Sequence, residues 1–450
     1  MKSKLTKKLH ITALIALTLA LASPSNCQKP DPDSPVPVPS GHGYVGIDDP
    51  DPSKALDKIF YWYFPSRNNP ETSPLVIWLT GGPGCSSMMA LSFENGAFSV
   101  NLTTGIPEKR TWAWNRNAHT LFVDQPIGTG FSVCGSGNYI KGEFGVQKDF
   151  YLFFTRWLDL PQYQQFKGRP LYLTGESYSG HYVPYIGHYF YNQGNPDVNL
   201  QGIAFGNGWT YPQQQYPAYL NFSILPENAK YTKVSKKEVA YLRKITPLCG
   251  QLGYFNHQLF TFGWENVCGI LENVINKPSD PTKYAQKFNR YDIRQTCKKE
   301  FPLCYDQTKL DEFYNSEKVQ KFLGVNKKWA SCDDKVGQVF ERYHDLKKDA
   351  AKEIVELVDA GLKVLVYSGV FDFSCNWLGT EIWLSKLNWV GEKELNNAKW
   401  EKHPLGYGEF KKYKTLEFLK IYNAGHMVPT DQPKASVQML NELTGQPIPQ

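Results

Sequence analysis

Two glycine-rich segments contain residue types that could attack a carbonyl group. Residues 175–180 (GESYSG) follow the short apolar run 171–174 and precede the amphipathic run 181–191. They predict a sharp turn from a strand into a helix that exposes the Ser177 hydroxyl. The usual second glycine of this pattern is a serine here, and we expect this small residue to fit the crowded turn. Residues 81–87 (GGPGCSS) also follow an apolar run and predict the loop that would bind the oxyanion.

A base and an acid for this serine lie late in the chain. A serine hydroxyl becomes a nucleophile when a base takes its proton and a carboxylate orients that base. Asp372 follows the apolar run 364–367, and His426 follows the run 419–422. Alone, each is more readily explained as an ordinary polar loop residue. Their order after Ser177 and their place at predicted strand ends together favour a catalytic triad.

The elements that must position these residues are visible as apolar runs separated by turn residues. The predicted strands are 60–64, 75–79, 121–123, 171–173, 203–205, 364–367 and 419–422. Several runs are continuous rather than alternating, which is typical of strands buried on both faces of a mostly parallel sheet. We therefore expect an α/β fold in which helices flank that sheet. A chain of 450 residues with 41% hydrophobic content can bury such a core.

The pattern changes between Thr210 and Val336, where tyrosines, lysines and cysteines fall into segments with helical spacing such as 233–245. This change predicts a mainly helical cap inserted into the sheet domain. The expected boundaries are 43–209 for the first part of the core, 210–336 for the cap and 337–450 for the second part of the core. The lysines of the cap are expected to form a solvated helix face.

The beginning of the chain resembles a secretory leader. Residues 1–22 carry four lysines, an apolar run and a terminal Ala-Leu-Ala, which predicts a cleaved signal peptide. The apolar run is too short for a membrane anchor, which needs about 20 residues. Residues 23–42 are expected to form a proline-rich linker or short pro-segment too polar to pack. Removal of the lysines takes the net charge from +6 to +2, so charge gives no reason to expect nucleic acid or an anionic membrane as partner.

The nine cysteines are interpreted first as disulfide partners, and their odd number leaves at least one thiol. The pairing does not follow from the sequence alone. The chain has no C-x-x-C or histidine-rich spacing, so we expect no metal, and it has no phosphate-binding glycine loop, so we expect no cofactor. The sequons at Asn101 and Asn221 predict N-glycosylation, although such short patterns often occur by chance.

A set of motifs closely resembles the serine carboxypeptidases, especially the carboxypeptidase Y type of vacuoles and lysosomes. The motifs are residues 81–87 (GGPGCSS), 124–132 (DQPIGTGFS), 175–178 (GESY), 373–377 (FSCNW) and 425–429 (GHMVP). The similarity runs from about Gly43 to the C-terminus. It implies an α/β-hydrolase fold with a cap, and the release of single residues from peptide C-termini at acidic pH through an acyl-enzyme.

The resemblance implies a role for each matching position. Ser177 would be the nucleophile, His426 the general base and acid, and Asp372 its orienting carboxylate. The backbone N–H groups of Gly82 and Tyr178 would form the oxyanion hole. The positions that match the carboxylate-binding residues of the family are Thr80, Gly81, Glu94 and Glu176.

Thr80 departs from the asparagine of the family and keeps one hydroxyl donor in place of an amide. Glu94 and Glu176 are expected to share a proton, because two close carboxyls do not both ionise readily, and the protonated one can donate to a substrate carboxylate. The alternative for Glu94 is an ordinary surface cap or ion pair. Residues beside the motifs could line an apolar pocket that favours apolar C-terminal segments, or could belong to the core: Met89, Phe93 and Met427.

The resemblance also bears on the cysteines. The disulfides that it implies, with the pair that is then left, are Cys85–Cys332, Cys297–Cys304 and Cys249–Cys268. Cys375 matches a free thiol near the active site of the family. Cys27 and Cys134 have no assigned partner.

Two other functions stay open. An acyltransferase on the same scaffold would use the identical triad but deliver the acyl group to an alcohol, and the presence of both Glu94 and Glu176 favours the peptidase. A protective partner of lysosomal glycosidases, a role known in the family, would not need catalysis. We expect a secreted, vacuolar or lysosomal protein whose substrates are peptide C-termini, with no membrane span; its oligomeric state and side-chain preference are open.

Overall fold

The computed structural model describes residues 34–252, 258–298 and 304–448. The predicted signal peptide, the first part of the predicted linker and Cys27 lie outside the described residues. No helix within the described ranges is long and apolar enough to cross a membrane.

The strands and helices in these ranges follow the predicted alternation. The strands are β1 (Gly41–Gly46), β2 (Asp57–Phe64), β3 (Leu75–Thr80), β4 (Phe98–Val100), β5 (Pro107–Lys109), β6 (His119–Asp124), β7 (Val133–Cys134), β8 (Leu171–Glu176), β9 (Leu200–Gly206), β10 (Tyr284–Gln286), β11 (Cys297–Lys298), β12 (Lys363–Gly369), β13 (Glu401–Lys402), β14 (Gly408–Tyr413) and β15 (Leu416–Ile421). The helices are α1 (Ser87–Phe93), α2 (Glu143–Asp159), α3 (Ser179–Gln193), α4 (Pro212–Gln215), α5 (Ala218–Ser223), α6 (Pro226–Thr232), α7 (Lys236–Leu252), α8 (Gln258–Ile275), α9 (Thr308–Tyr314), α10 (Glu317–Leu323), α11 (Asp334–Arg342), α12 (Ala351–Asp359), α13 (Trp377–Leu384), α14 (Glu392–Asn397), α15 (Val428–Asp431) and α16 (Pro433–Thr444). Short 3₁₀ helices occupy Trp114–Arg116, Gln164–Phe166 and Asp345–Lys347.

One large sheet carries the catalytic candidates. Its strand order is β1-β2-β6-β3-β8-β9-β12-β15-β14-β13, with β7 paired to β2. The inner strands from β6 to β15 are parallel, and the strands beyond them on both edges are antiparallel. Every residue of β3, β6 and β8 is buried, which explains their continuous apolar runs. The α/β-hydrolase fold is confirmed, and every predicted strand lies in this sheet.

Helices cover both faces of the sheet. On one face α2, α3 and α12 contribute side chains such as Phe153 and Leu357 to a cluster that includes Ile77. On the other face α1 and α16 join a second cluster, to which Leu91 and Leu440 belong. Both faces of the sheet are therefore buried. The loops that follow the parallel strands emerge at the carboxyl edge of the sheet, where these strands end together.

The predicted cap range holds helices α4 to α10, the first residues of α11 and the short pair β10–β11, which the sequence did not predict. Leu242 of α7 and Leu271 of α8 belong to a third cluster, which also contains Phe373 from the core. The cap therefore packs directly on the loop that carries Asp372. Later in the range, the buried side chains of α9 and α10, such as Phe313, belong instead to the second cluster, on the face of the sheet that α1 and α16 cover.

The predicted linker differs from expectation at its C-terminal end. Val36 and Val38 are 1% and 4% exposed and belong to the second core cluster. Burial of a valine side chain contributes about 1.5 to 3 kcal/mol. Burial of these two valines therefore holds the end of the linker against the core, although the composition of the linker is polar on average.

Candidate active site

Ser177 occupies a strained turn between β8 and α3. Its φ is +64°, in the left-handed region that a non-glycine residue rarely adopts. The backbone is held there because Ser177 N–H donates to Gly206 O at 3.0 Å and Trp209 N–H donates to Ser177 O at 2.8 Å. Ser179, the serine in place of the usual glycine, is fully buried and donates its hydroxyl to Leu79 O at 2.7 Å. The serine side chain therefore fits this turn and has a hydrogen-bond partner.

The predicted oxyanion loop lies against this turn. A Cβ atom on Gly81 would stand 2.2 Å from the backbone nitrogen of Tyr178, so only glycine permits this approach. Gly82 adopts φ +110°. The two predicted donors, Gly82 and Tyr178, thus come from segments in contact.

The loop is held from behind by Asp124, at the start of the motif 124–132. Asp124 Oδ1 accepts hydrogen bonds from the Ser86 hydroxyl at 2.6 Å and the Ser87 N–H at 2.9 Å. Burial raises the pKa of Asp124 to about 6. The sequence motifs assigned no role to Asp124. Its contacts indicate that it fixes the beginning of α1.

Asp372 and His426 meet at the carboxyl edge of the sheet. His426 Nδ1 lies 2.8 Å from Asp372 Oδ2, and both side chains are buried. Asp372 also accepts from the N–H groups of Ser374 at 2.9 Å and Cys375 at 3.1 Å. A carboxylate with several donors keeps its orientation, so the imidazole is held in one ring position.

Two further contacts of this pair were not predicted. The Asn207 amide donates to Asp372 Oδ2 at 2.8 Å, and its oxygen accepts from Gly369 N–H at 3.2 Å. The sequence feature that could have indicated Asn207 is the Gly-Asn-Gly turn directly after the predicted strand 203–205. Tyr291 of the cap accepts the His426 backbone N–H at 2.7 Å and places its ring 4.9 Å from the imidazole. No local pattern marks Tyr291.

Ser177 lies where two cavities meet. The first, of about 320 Å³, is lined by Thr80, Gly81, Glu176, Ser177 and His426, together with Met89 and Met427. The second, of about 400 Å³, is lined by Ser177, Tyr178 and Cys375, by further aromatic residues and by two charged residues; these are Trp209, Tyr216, Tyr219, Trp264 and Tyr291, with Arg290 and Glu341. Gly82 borders both. A substrate bound across Ser177 would therefore place one side chain in each cavity.

Glu94 and Glu176 form a buried carboxyl pair, of which Glu176 lines the first cavity and Glu94 is not among the lining residues. Glu94 is 0% exposed, so the alternative of a surface cap or ion pair is wrong. Burial raises the pKa of Glu94 to about 7, although a hydrogen bond with Glu176 and the charges of His426 and Arg110 oppose the shift. Burial and the proximity of Glu94 raise the pKa of Glu176 well above its usual value. In acid the pair is therefore protonated and can donate hydrogen bonds.

Thr80 is the third polar group of this region. The Trp78 indole N–H donates to Thr80 Oγ1 at 3.0 Å. Because the hydroxyl oxygen accepts from this indole, its own hydrogen is available for donation to a ligand. The indole thus orients the hydroxyl that stands where the family has an amide.

Cys375 lies beside the Asp372–His426 pair. Its Sγ atom, an oxygen of Asp372 and a ring nitrogen of His426 lie within 4.8 Å of one another. Burial, and then the Asp372 charge, raise the pKa of the Cys375 thiol well above its ordinary value. The group is therefore a neutral thiol in the wall of the second cavity and is poorly suited to act as a nucleophile.

Some of the remaining predicted residues lie at the site and others do not. Met89 and Met427 line the first cavity, whereas Phe93 is not among its lining residues and packs edge-on against Tyr305 at 5.8 Å. The disulfides of the described residues are Cys85–Cys332, Cys249–Cys268 and Cys297–Cys304. The first joins the oxyanion loop to the segment before α11. Cys134 is a free thiol.

The two sequons differ in their surroundings. Asn221 is exposed on α5, and Asn101 is half-buried in the turn between β4 and β5. The Asn101 Oδ1 atom accepts from the N–H groups of Thr103 and Thr104 at 2.9 and 3.1 Å. Both asparagines therefore reach the surface.

Comparison with known proteins points to one family. The family model described as serine carboxypeptidase matches residues 30–446. Serine carboxypeptidase-like 47 of Arabidopsis thaliana is 37% identical over 403 residues, which cover 86% of this chain and 76% of that protein. Carboxypeptidase Y of Schizosaccharomyces pombe is 34% identical over 402 residues, which cover 85% of this chain and 39% of that protein.

A solved structure gives the same result. The crystal structure of a prohormone-processing carboxypeptidase from Saccharomyces cerevisiae is similar with a TM-score of 0.77 and 25% sequence identity. The similarity covers 92% of each chain. The fold is thus shared over nearly the whole length.

Proposed function

The chain belongs to the serine carboxypeptidase family, and we propose that Ser177, His426 and Asp372 are its nucleophile, general base and orienting acid. The protein is a serine-type carboxypeptidase, a hydrolase that releases amino acids from peptide C-termini. The observation that carries the residue assignment is the 2.8 Å contact between His426 Nδ1 and Asp372, next to the strained turn that presents Ser177.

The proposed reaction follows from these contacts. Asp372 accepts the Nδ1–H of His426, so Nε2 has a free lone pair and takes the proton of the Ser177 hydroxyl. The Ser177 oxygen then bonds to the substrate carbonyl carbon, and the N–H groups of Gly82 and Tyr178 stabilise the oxyanion. His426 returns the proton to the leaving amine, and the amino acid departs. Water then attacks the acyl-enzyme by the same route and releases the shortened peptide.

We propose that the first cavity holds the residue that leaves. Its terminal carboxylate would accept hydrogen bonds from the Thr80 hydroxyl, the Gly81 backbone and the protonated Glu94–Glu176 pair. The side chain of this residue would lie between Met89 and Met427, which lack charge and are flexible. An apolar C-terminal residue suits this environment.

The second cavity would then hold the side chain on the acyl side of the scissile bond. Its aromatic rings offer apolar surface beside the charged residues Arg290 and Glu341, and Cys375 lies in the same wall. This supports a preference for large apolar residues at the penultimate position as well. A peptide with apolar residues at both positions is therefore the proposed preferred substrate.

We also propose an acidic compartment of the secretory pathway, a vacuole or lysosome, or the cell exterior as the place of action. Three disulfides within the described residues suit an oxidising compartment. Asn101 and Asn221 are proposed glycosylation sites because both reach the surface. The protonated glutamate pair suits acid.

The test is the release of a free amino acid from an N-blocked dipeptide in mild acid. The wild-type protein should release it, and Ser177→Ala should not. Ser179→Ala is the matched control, because it removes a hydroxyl two residues away that only contacts Leu79 O. Release by Ser177→Ala at the wild-type rate would contradict the assignment. Transfer to an added alcohol without release of the acid would favour an acyltransferase.

A further inference from the structure

A cluster of two buried carboxyls and one partly exposed lysine lies beside Tyr178 and binds its hydroxyl, and the proposed mechanism does not use it. Its members are Asp345, Glu143 and Lys348, here called the anchor cluster. Asp345 and Glu143 are both 0% exposed. Charged side chains are rarely buried so completely without a specific partner, so these residues need an explanation.

Asp345 is the centre of the cluster. Its Oδ2 atom accepts the Tyr178 hydroxyl at 2.7 Å, and its Oδ1 atom accepts the Lys348 ammonium and, at 3.3 Å, the Glu143 N–H. A Cβ atom on Gly142 would lie 2.1 Å from Oδ1, so the backbone before α2 must be glycine to admit this carboxylate. The geometry is built around a charged acceptor for the Tyr178 hydroxyl.

Glu143 completes the charge balance. Its side-chain oxygens accept no hydrogen bond from the described residues. Burial, and then the charge of Asp345, raise its pKa well above the usual value, while the Lys348 charge opposes the shift and Glu353 adds to it. The raised pKa favours the neutral form of Glu143, which adds no negative charge beside Asp345. The cluster then contains one carboxylate and one ammonium, which is the arrangement that a buried site tolerates.

The Tyr178 ring is also fixed by its neighbours. It stacks on His181 at 4.7 Å and meets the Tyr182 ring edge-on at 5.1 Å. The His181 ring in turn bonds Lys348 O at 2.7 Å. The Tyr182 hydroxyl accepts from Gly84 N–H at 3.3 Å, which connects the same group of rings to the oxyanion loop.

The backbone at Tyr178 is held on its carbonyl side, where Tyr178 O accepts from the N–H groups of His181 at 2.9 Å and Tyr182 at 3.4 Å. Tyr178 is the N-cap residue of α3, makes no side-chain cap hydrogen bond and follows the strained Ser177. The direction of its N–H depends in addition on where its side chain is held, and the hydroxyl is held by Asp345. Small displacements of a donor at an oxyanion hole reduce rates strongly.

We propose that Asp345 is a positioning residue for the oxyanion hole, because it holds the Tyr178 hydroxyl and thereby the direction of the Tyr178 N–H. The proposal rests on the proposed function, in which this N–H stabilises the oxyanion. It deepens that function by assigning a role to a residue outside the motifs.

The test compares Tyr178→Phe, Asp345→Asn and the double variant. Each single variant should lower kcat by about 10- to 100-fold, with the Ki of a product peptide nearly unchanged, since the donor acts in the transition state. The rate of fluorophosphonate labelling should fall in parallel. The double variant should lose no more than either single variant, because both changes break the same contact.

Tyr407→Phe is the matched control, since it removes a hydroxyl that donates to Glu442 at 3.0 Å outside the residues lining either cavity. It should lower thermal stability without lowering kcat per folded molecule. Equal kcat in Tyr178→Phe and Tyr407→Phe, or additive losses in the double variant, would overturn the proposal. An inactive wild-type protein would instead overturn the proposed function, so the two failures are distinct.

Discussion

Peptidase activity on free-acid peptides should fall as the pH rises through neutrality, because the Glu94–Glu176 pair must donate hydrogen bonds to the substrate carboxylate. Burial raises the pKa of Glu94 to about 7 and that of Glu176 well above its usual value. Below these values the pair is neutral. Above the lower one it carries a negative charge and repels the carboxylate.

The expected magnitude follows from the Glu94 value. For a group with a pKa of about 7, roughly one tenth stays protonated at about pH 8, whereas nearly all is protonated at about pH 5. The kcat/KM for a free-acid peptide should therefore fall about tenfold between these conditions from this cause alone. A peptide amide carries no terminal charge and should lack this component.

The assay is a pair of pH profiles of kcat/KM, one for a free-acid peptide and one for its C-terminal amide. The amide is the internal control, because the triad and the oxyanion hole act on both substrates. Glu94→Gln should flatten the alkaline limb for the free acid, since it replaces the carboxyl of lower pKa with an amide that cannot lose a proton, and should also lower the maximum. Identical wild-type profiles for both substrates would refute the carboxylate-binding role of the pair.

Other perturbations test separate parts of the site. Cys375→Ser should stay active and become resistant to bulky mercurials, which in the wild-type protein would fill the second cavity; an inactive or still sensitive variant would contradict this. Asn207→Ala should lower kcat by about tenfold with little change in KM, because Asp372 loses a donor that fixes it; an unchanged kcat would count against the contact. Thermal stability should be greater at about pH 5 than at about pH 8, since the raised pKa values of Asp124 and Glu94, about 6 and about 7, mean that stability present in acid is lost as these carboxyls ionise. A Tm that calorimetry finds to be higher at about pH 8 than at about pH 5 would contradict this prediction.

The sequence predicted the sheet well because its signals are local. Each buried inner strand is a continuous apolar run, and the turn at Ser177 is encoded by the small residues around it. The half-buried β1 and β14 at the edges were not predicted, since they lack such runs. Asp372 and His426 could be placed because strand ends of a parallel sheet converge, which converts order along the chain into proximity.

The supporting contacts could not be predicted, since they join segments far apart in sequence. Tyr291 reaches His426 from the cap, and Asp345 reaches Tyr178 from a 3₁₀ helix 167 positions away. Neither has a local pattern. Thr80 shows a further limit, because its availability as a donor depends on the Trp78 indole, a detail that residue type alone does not give.

The choice of donors for the substrate carboxylate has a consequence for regulation by pH. Lysine and arginine are absent from the described residues that line the first cavity, so carboxylate binding there depends on neutral donors and on the protonated pair. A cation would hold the carboxylate of substrate and product alike at any physiological pH. The glutamate pair makes affinity conditional on acid, and the same burial that raises its pKa makes its ionisation destabilising. Activity and stability are therefore lost in the same direction of pH, and the amide substrate separates them: it reports the integrity of the triad at a pH where free-acid binding has already been lost.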